Sequence, residues 1–359
     1  MIIYARSPYF IQVSLNSGYG SKIELFLSNG SQSLPATRTY EIVKNYNQGT
    51  GNSHSYNISN FIREYIENIS MSSSNNYNNA KVRVKSYQEA AGGAYNLVAT
   101  QDFLATNGYT LYTDGANATD VSNRCVLLFN NNIEHYYNRN LGVNPWLNIL
   151  INTTLGDKLE VILTDLSGGN STTTTLISTS TGATQGILNA TLSSVANSAY
   201  ANGNYCTIKY YEGASLTVNK TIKVTPICEP KYTPVRCEFI NRFGGWQLLT
   251  FFKAKTNSIN VSGTSYNLLA DGVAYNTLLP QTASFNINGR QDIRLNTGWV
   301  PESYSELIQD LLLSETILLD GKPVEIKTQS TELKTSLKDK NINYEIEFEY
   351  AYNLINNVV

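Results

Sequence analysis

Tyr344-Glu-Ile-Glu-Phe-Glu-Tyr350 decides the fold class. It alternates strictly, with Tyr344, Ile346, Phe348 and Tyr350 on one side and Glu345, Glu347 and Glu349 on the other. That two-residue period is a strand with one buried face. Three like charges two residues apart repel unless basic groups lie opposite. Lys334 and Lys338 are the expected cross-strand neighbours, at roughly 0.2–1 kcal/mol per pair. Working outward, Thr331–Leu337 reads as the strand before it, and Ile317–Leu319 with Val324–Lys327 as a hairpin around Asp320-Gly321. Leu307, Ile308, Leu311 and Leu312 line one face of a helix, which Pro301 and a Ser303/Glu306 capping box would start. Ser284–Ile287 and Asp292–Leu295 flank Asn288-Gly289, which predicts a tight hairpin. Val235–Ile240, Trp246–Lys253 and Ser258–Ser262 are further strands, the first two joined through Asn241-Arg-Phe-Gly-Gly245.

The same alternation recurs nearer the N-terminus. Ser21–Leu27, Arg38–Val43, Lys81–Tyr87 and Tyr95–Phe103 read as strands. Lys81-Val-Arg-Val-Lys85 places its charges on a wet face rather than in a nucleic-acid stripe. Phe61, Ile62, Tyr65, Ile66 and Ile69 recur at three and four, predicting a helix capped by Ser59, with Arg63, Glu64 and Glu67 on its wet side. In the middle, Arg124–Phe129, Trp146–Asn152, Lys158–Thr164, Thr207–Tyr211 and Thr221–Thr225 read as strands. The Ser/Thr/Gly tract Leu166–Ser180 suits an exposed edge strand, an interface arm or a mobile loop. The fold expected is predominantly all-β, with sandwich- or barrel-like domains and two short helices packed on the sheets. Residues 1–110, 124–228 and 229–359 are the expected domains, the last a tube- or hub-like β domain.

Only 15% of the 359 residues are charged, against about 25% in an average soluble domain. Asn, Ser, Thr and 25 Tyr take their place. Tyr offers a broad apolar face with a polar tip and is enriched at interfaces. The net charge of -2 speaks against sequence-wide attraction to nucleic acid. No stretch approaches the ~18 apolar residues of a membrane span. Met1-Ile-Ile-Tyr lacks a basic n-region and a long apolar run, so assembly in a cytoplasm is expected.

No constellation carries chemistry. Cys125, Cys206, Cys228 and Cys237 form no CxxC pair and read as small apolar fillers. His54 falls in a polar loop and His135 in Ile133-Glu-His-Tyr-Tyr137, neither within a triad or metal motif. Asp114, Asp120, Asp157, Glu160 and Asp165 are the acids from which a glycosidase pair would have to come. Tyr136, Tyr137 and Trp146 could stack on a sugar, or serve as core and interface aromatics. No catalytic residue, cofactor or metal is expected.

Cys237-Glu-Phe-Ile-Asn-Arg-Phe-Gly-Gly-Trp-Gln-Leu-Leu-Thr-Phe251 resembles a stretch in tail proteins of phages infecting Bacteroidota. Leu295-Asn-Thr-Gly-Trp-Val-Pro-Glu302 followed by Leu307–Ser314, the terminal Val324–Ala351, and Asn60-Phe-Ile-Arg-Glu-Tyr-Ile66 resemble the same group. The Asn/Tyr-rich composition is similar to that of crAss-like phages. The resemblance covers both ends of the chain but not its middle. It implies a tail hub, ring or distal-tail component in the virion, in six or twelve copies around a DNA conduit between portal and fibres. Its partners would be itself and other tail, portal or fibre proteins, with DNA passing through unbound. The rival classes are a receptor- or carbohydrate-binding module and a glycan-degrading tail enzyme. Trp246, Trp299, Phe243 and Phe348 are the expected buried anchors.

Overall fold

The structure is a computed structural model. It describes residues 1–15, 19–30, 32–45, 52–66, 78–118, 124–130, 133–229, 231–268, 272–273, 276–328 and 341–356, with Asn341 as backbone only. Among the described residues the chain is mostly strand with two short α-helices, an all-β fold. Along it run β1 (Ile2–Tyr4), β2 (Phe10–Ser14), β3 (Ser21–Asn29), β4 (Tyr40–Lys44), β5 (Ser53–Asn57), α1 (Ser59–Arg63), β6 (Asn79–Glu89) and β7 (Tyr95–Thr106). Then come β8 (Cys125–Leu127), β9 (His135–Tyr137), β10 (Trp146–Asn152), β11 (Lys158–Asp165), β12 (Ser171–Ile177), β13 (Gln185–Thr191), β14 (Asn204–Glu212) and β15 (Ser215–Pro226). The rest holds β16 (Val235–Ile240), β17 (Trp246–Phe251), β18 (Thr256–Asn267), β19 (Thr282–Pro301), α2 (Tyr304–Leu312), β20 (Ile317–Leu319), β21 (Lys322–Ile326) and β22 (Asn341–Tyr350).

Two compact units result. The first comprises Met1–Cys228 with Glu238–Leu249 and Glu306–Ser314; the second comprises Glu229–Cys237, Thr250–Ser305 and Glu315–Val359. In the first unit, the sheet β1-β7-β6-β3-β4 and the pair β2-β5 enclose a core that includes Ile23, Leu25, Tyr56, Ile62 and Val84. The strands of β6 show why this sheet forms: Val82 and Val84 are buried, while Lys81, Arg83 and Lys85 face outward. Arg83 pairs with Asp102 of β7 at 2.7 Å. A second core lies between β13-β10-β8 and β12-β11-β14-β15-β9, around Ile149, Val161, Ile208 and Tyr210. A smaller cluster joins Ile2, Tyr4 and Leu104 to Val126, Leu128 and Leu150, with Phe243 half-buried against it. The Ser/Thr tract resolves into β12, an edge strand that, among the described residues, pairs with β11 alone.

Ser59 does not cap α1 as expected. Ile58 occupies the cap position with no side-chain hydrogen bond. The Ser59 hydroxyl instead accepts from the Tyr9 N–H at 2.8 Å and donates to the Ser7 carbonyl at 2.6 Å. It staples α1 to the segment entering β2. Phe61, Ile62, Tyr65 and Ile66 do line the apolar side, but the helix covers only Ser59–Arg63; Glu67 and Ile69 lie outside the described residues.

The sheet order of the remaining strands is β17-β16-β20-β21-β22-β19-β18. In β22, Tyr344, Ile346 and Phe348 are buried and Glu345 exposed. Lys334 and Lys338 lie outside the described residues; the described partners of the glutamates come from β19 and from Lys327, just after β21. Arg290 meets Glu349 at 2.8 Å, Arg294 meets Glu347 at 3.1 Å and Glu345 at 3.7 Å, and Lys327 meets Glu347 at 3.7 Å. Asp320 and Gly321, both at positive φ, close the β20–β21 hairpin as read from the sequence.

Two expectations fail here. Asn288-Gly289 is not a turn: β19 runs straight through it, pairing Asn288 with Ser262 and Gly289 with Val261. The Asn288 side chain donates to the Ile355 carbonyl at 2.9 Å and accepts from the Ile355 N–H at 3.1 Å. Leu354 N–H donates to the Gly289 carbonyl at 2.8 Å. A Cβ on Gly289 would stand 3.1 Å from the Asn260 carbonyl oxygen. The dipeptide therefore seats the C-terminal segment rather than reversing the chain. Trp299, expected to be buried, is 69% exposed. A bulge lies between Asn296 and Trp299, opposite Asn343 and Glu345, with Gly298 at φ 75°. The extra residue shifts the alternation, so Val300 turns inward and Trp299 outward.

Candidate assembly interface

β18 and the first part of β19 build a ribbon unlike any other part of the chain. Eleven residues of β18 pair with β19, from Thr256 opposite Arg294 to Asn267 opposite Thr282, with a bulge at Gly263. Yet β22 supports β19 only from Asp292 onward. Beyond that base, among the described residues, Val261–Asn267 and Thr282–Gly289 have no other strand beside them. Every residue of β18 is exposed. A two-stranded hairpin standing alone is marginally stable in water.

Its side chains make the exposure unusual. Ile259, Val261, Tyr266, Phe285 and Ile287 all present roughly half or more of their surface, as do Val273, Leu278 and Leu279 nearer the tip. Tyr266 and Phe285 pack edge to face at 5.6 Å between ring centroids, which stiffens the ribbon without covering it. Large apolar side chains exposed together on one ribbon make it a candidate binding surface.

Charge stops at the base. Between Lys255 and Arg290 the sequence holds one charged residue, Asp271. At the base, Asp292 is buried and accepts from Lys327 and, at 2.5 Å, from the Asn260 amide. Contact with the Asp292 carboxylate holds the Lys327 ammonium above its ordinary range. Free edge strands normally carry Lys, Glu or Pro that discourage pairing with another chain. β4 does so, with Glu41 tied to Lys22 and Arg38. β18 has no such charge, and it forms the outer edge of its sheet.

The residues considered for chemistry fall elsewhere. His54 is not in a loop but in β5, buried, with Nδ1 2.8 Å from the Ser21 hydroxyl. Tyr56 closes this group, its hydroxyl donating to the Ser21 carbonyl at 2.8 Å. Ser21 is fully buried, so this Ser–His contact has no face for a substrate; desolvation, then the Lys44 charge, lowers the His54 pKa. His135 is buried in β9, and desolvation lowers its pKa to about 4. Asp157 is spent on structure, accepting from Tyr210 at 2.8 Å, Thr154 N–H at 2.8 Å and Arg124 at 3.2 Å. Asp165 likewise holds a turn, through Ser167, Gly169 and Asn170. These two acids border opposite ends of β11, roughly 26 Å apart at 3.3 Å per residue. A glycosidase pair stands about 5–10 Å apart. Glu160 pairs with Lys158 at 2.6 Å, Asp114 caps a turn through Leu111 N–H at 2.9 Å, and Asp120 lies outside the described residues. Among the described residues no His/Cys/Asp/Glu cluster could hold a metal.

Tyr137 is buried with its hydroxyl 2.9 Å from Ser193 Oγ, so it offers no stacking face beside Tyr136 and Trp146. Cys125, Cys206 and Cys237 are buried and Cys228 is exposed. Burial pushes the thiols of Cys125 and Cys206 up to about 12. Trp246 is 2% exposed and Phe348 fully buried, the latter against Phe251 at 5.9 Å. Asn241 organises the turn of the Cys237–Phe251 stretch: its side chain accepts from Phe243 and Gly245 N–H and donates to the Leu128 carbonyl at 2.9 Å. The ribbon was legible only as the short strands Ser258–Ser262 and Ser284–Ile287; the signal for its full reach is the near-absence of charge across residues 256–289.

No family model matches the chain, and no curated protein matches it.

Proposed function

We propose that this protein is a structural component of a bacteriophage tail, assembling through its β18–β19 ribbon into a ring or hub around the DNA conduit. The observation that carries the reading is the ribbon itself: an exposed, almost uncharged β-arm that presents Ile259, Val261, Tyr266, Phe285 and Ile287 to solvent. A closed ring needs heterologous contacts, in which one patch of a subunit meets a different patch of the next. An arm on one side of a chain is suited to that geometry.

The tail setting rests on the resemblance of both chain ends to tail proteins of phages infecting Bacteroidota. The net charge of -2 agrees with a conduit through which DNA moves without adhering, since phosphate binding is driven by basic side chains. The enzyme reading needs a carboxylate pair at catalytic spacing, and Asp157 and Asp165 do not provide one. The sugar-binding reading needs a free aromatic platform, and Tyr137 points inward.

Negative-stain microscopy of the purified chain tests the proposal. Rings of a single high symmetry, and antibody labelling of the tail in virions, are the expected results. A chain that stays monomeric at tens of micromolar and never enters a virion would refute it.

A further inference from the structure

β12 carries threonines where its register calls for core residues. Thr172 lies opposite Leu163 and Thr174 opposite Val161, so all four side chains share one face of the sheet. Val161 and Leu163 are buried in the second core, yet Thr172 and Thr174 on that same face are exposed. A cavity of about 250 Å³ lies over them. Thr191, at the end of β13, bounds it as well, with Ser194 and Asn197 beyond. The core of the sandwich therefore stops short of its edge and leaves an open space beside β12.

The lining divides by chemistry. Val161, Leu163 and Leu176 form an apolar wall. The Tyr200 hydroxyl is already engaged, donating to the Leu163 carbonyl at 3.2 Å and lying 2.9 Å from Thr172 Oγ1. That contact engages Thr172 too. The Asn197 side-chain oxygen accepts from the Ala199 N–H at 2.9 Å. The Thr174 hydroxyl makes no hydrogen bond among the described residues. None of the lining residues is charged.

These features restrict what can bind. A charged ligand would lose its hydration and meet no counter-charge. A sugar ring carries several hydroxyls, and most would be buried here without partners. A purely apolar ring would cover the Thr174 hydroxyl and leave it unpaired. A cavity of ~150 Å³ takes up a benzene, so this one admits a single six-membered ring with small substituents. We infer that the cavity binds a small neutral phenol, its ring against Val161, Leu163 and Leu176 and its hydroxyl bonded to Thr174. Thr174 stands on the solvent side, so the hydroxyl end faces out and the para position faces in. That orientation excludes a tyrosyl residue, whose backbone is tethered through the para position. The β18–β19 ribbon takes no part in this site, so it stands or falls separately from the assembly reading.

Ligand-observed saturation-transfer NMR tests the site in any oligomeric state. p-Cresol should bind with a dissociation constant on the order of 1 mM, as its eight non-hydrogen atoms allow. p-Methylbenzoate and N-acetyltyrosinamide should not bind. Thr174→Trp projects into the cavity and should weaken p-cresol binding about tenfold or more. Thr173→Trp, one residue along and opposite Ile162 on the other face, should leave binding unchanged. Thr174→Val keeps the shape and removes the hydroxyl. It should weaken p-cresol about two- to tenfold, the worth of one neutral hydrogen bond, and leave toluene unaffected. If Thr174→Trp loses the native circular dichroism, Thr174→Val carries the test. Wild-type protein that does not bind p-cresol overturns the inference. So do equal losses from Thr173→Trp and Thr174→Trp, an equal effect of Thr174→Val on p-cresol and toluene, or binding of p-methylbenzoate or N-acetyltyrosinamide as tight as that of p-cresol.

Discussion

The chain contains two long antiparallel ribbons, and they are built on opposite plans. β6 and β7 pair over eleven residues of β6 and alternate: Val82 and Val84 into the core, Lys81, Arg83 and Lys85 to water. β18 and β19 pair over a similar length, but β18 buries nothing and carries no charge. β6 has a dry face and a wet face. β18 mixes uncharged Asn, Ser and Thr with exposed Ile259, Val261 and Tyr266 and has no buried face. Hydrophobic burial stabilises β6 within its own fold; for β18 the same term becomes available only when another surface arrives. Charge on the wet face is what distinguishes a strand finished with solvent from one waiting for protein.

Substitutions can break this contrast, beginning with the largest effects. Trp246→Ala and Phe348→Ala remove fully packed aromatic side chains and should each cost about 3–5 kcal/mol by chemical denaturation. Trp299→Ala should stay within about 0.5 kcal/mol, because the bulge at Asn296 puts that ring in solvent. Equal losses for Trp246 and Trp299 would mean that the bulge does not exist in solution.

Next, Leu25→Ala in the core beneath the first ribbon should cost about 2–5 kcal/mol. Phe285→Ser on the second should change the melting of the isolated subunit by no more than about 0.5 kcal/mol of stability while weakening self-association. If Phe285→Ser unfolds the subunit instead, the ribbon is part of a core and the contrast collapses.

A third test concerns Asp310 in α2. It is buried, accepts from the Tyr109 hydroxyl at 3.3 Å, and faces Arg242 and Glu306. Desolvation outweighs the favourable Arg242 charge and raises its pKa to about 6 from an ordinary 3.8. A folded pKa above the unfolded one means that ionisation costs stability. The cost is absent below about pH 4, grows as pH rises toward 6, and is complete above it. Asp310→Asn should therefore stabilise the protein by up to about 3 kcal/mol at pH 7 and by almost nothing at pH 4. A pH-independent difference would show that the carboxylate is not desolvated in solution. The smallest effect belongs to Arg83→Ala, whose ion pair with Asp102 is exposed on both sides. It should cost under about 1 kcal/mol and vanish in high salt.

The two ribbons also explain what was legible in the sequence. Strands with one buried face declare themselves by alternation, so Tyr344–Tyr350 and Lys81–Tyr87 could be read residue by residue. The Asp320-Gly321 hairpin was legible because its partners are adjacent in sequence. Asn288-Gly289 carries the same local signal and misleads, because the winning interaction is non-local: a long ladder with β18 and the clamp on Ile355. Trp299 misleads for a related reason, since one extra residue in a bulge inverts every later side chain and leaves no compositional mark beyond Gly298. Ser59 has the right residue type for a helix cap, but the carbonyl of Ser7 and the N–H of Tyr9 claim its hydroxyl. The cavity beside β12 could not be read at all. It depends on where two sheets part, while the sequence there shows only a tract of threonines.

One experiment tests the ribbon's role in assembly most directly. Residues 262–288 are replaced by an Asn-Gly turn, which closes the hairpin where Val261 and Gly289 already face each other. Particle mass is then measured by light scattering across a concentration series for both proteins. The account predicts a single large closed oligomer for the full chain and a folded monomer, with native circular dichroism, for the shortened one. An oligomer of unchanged mass after shortening would contradict it.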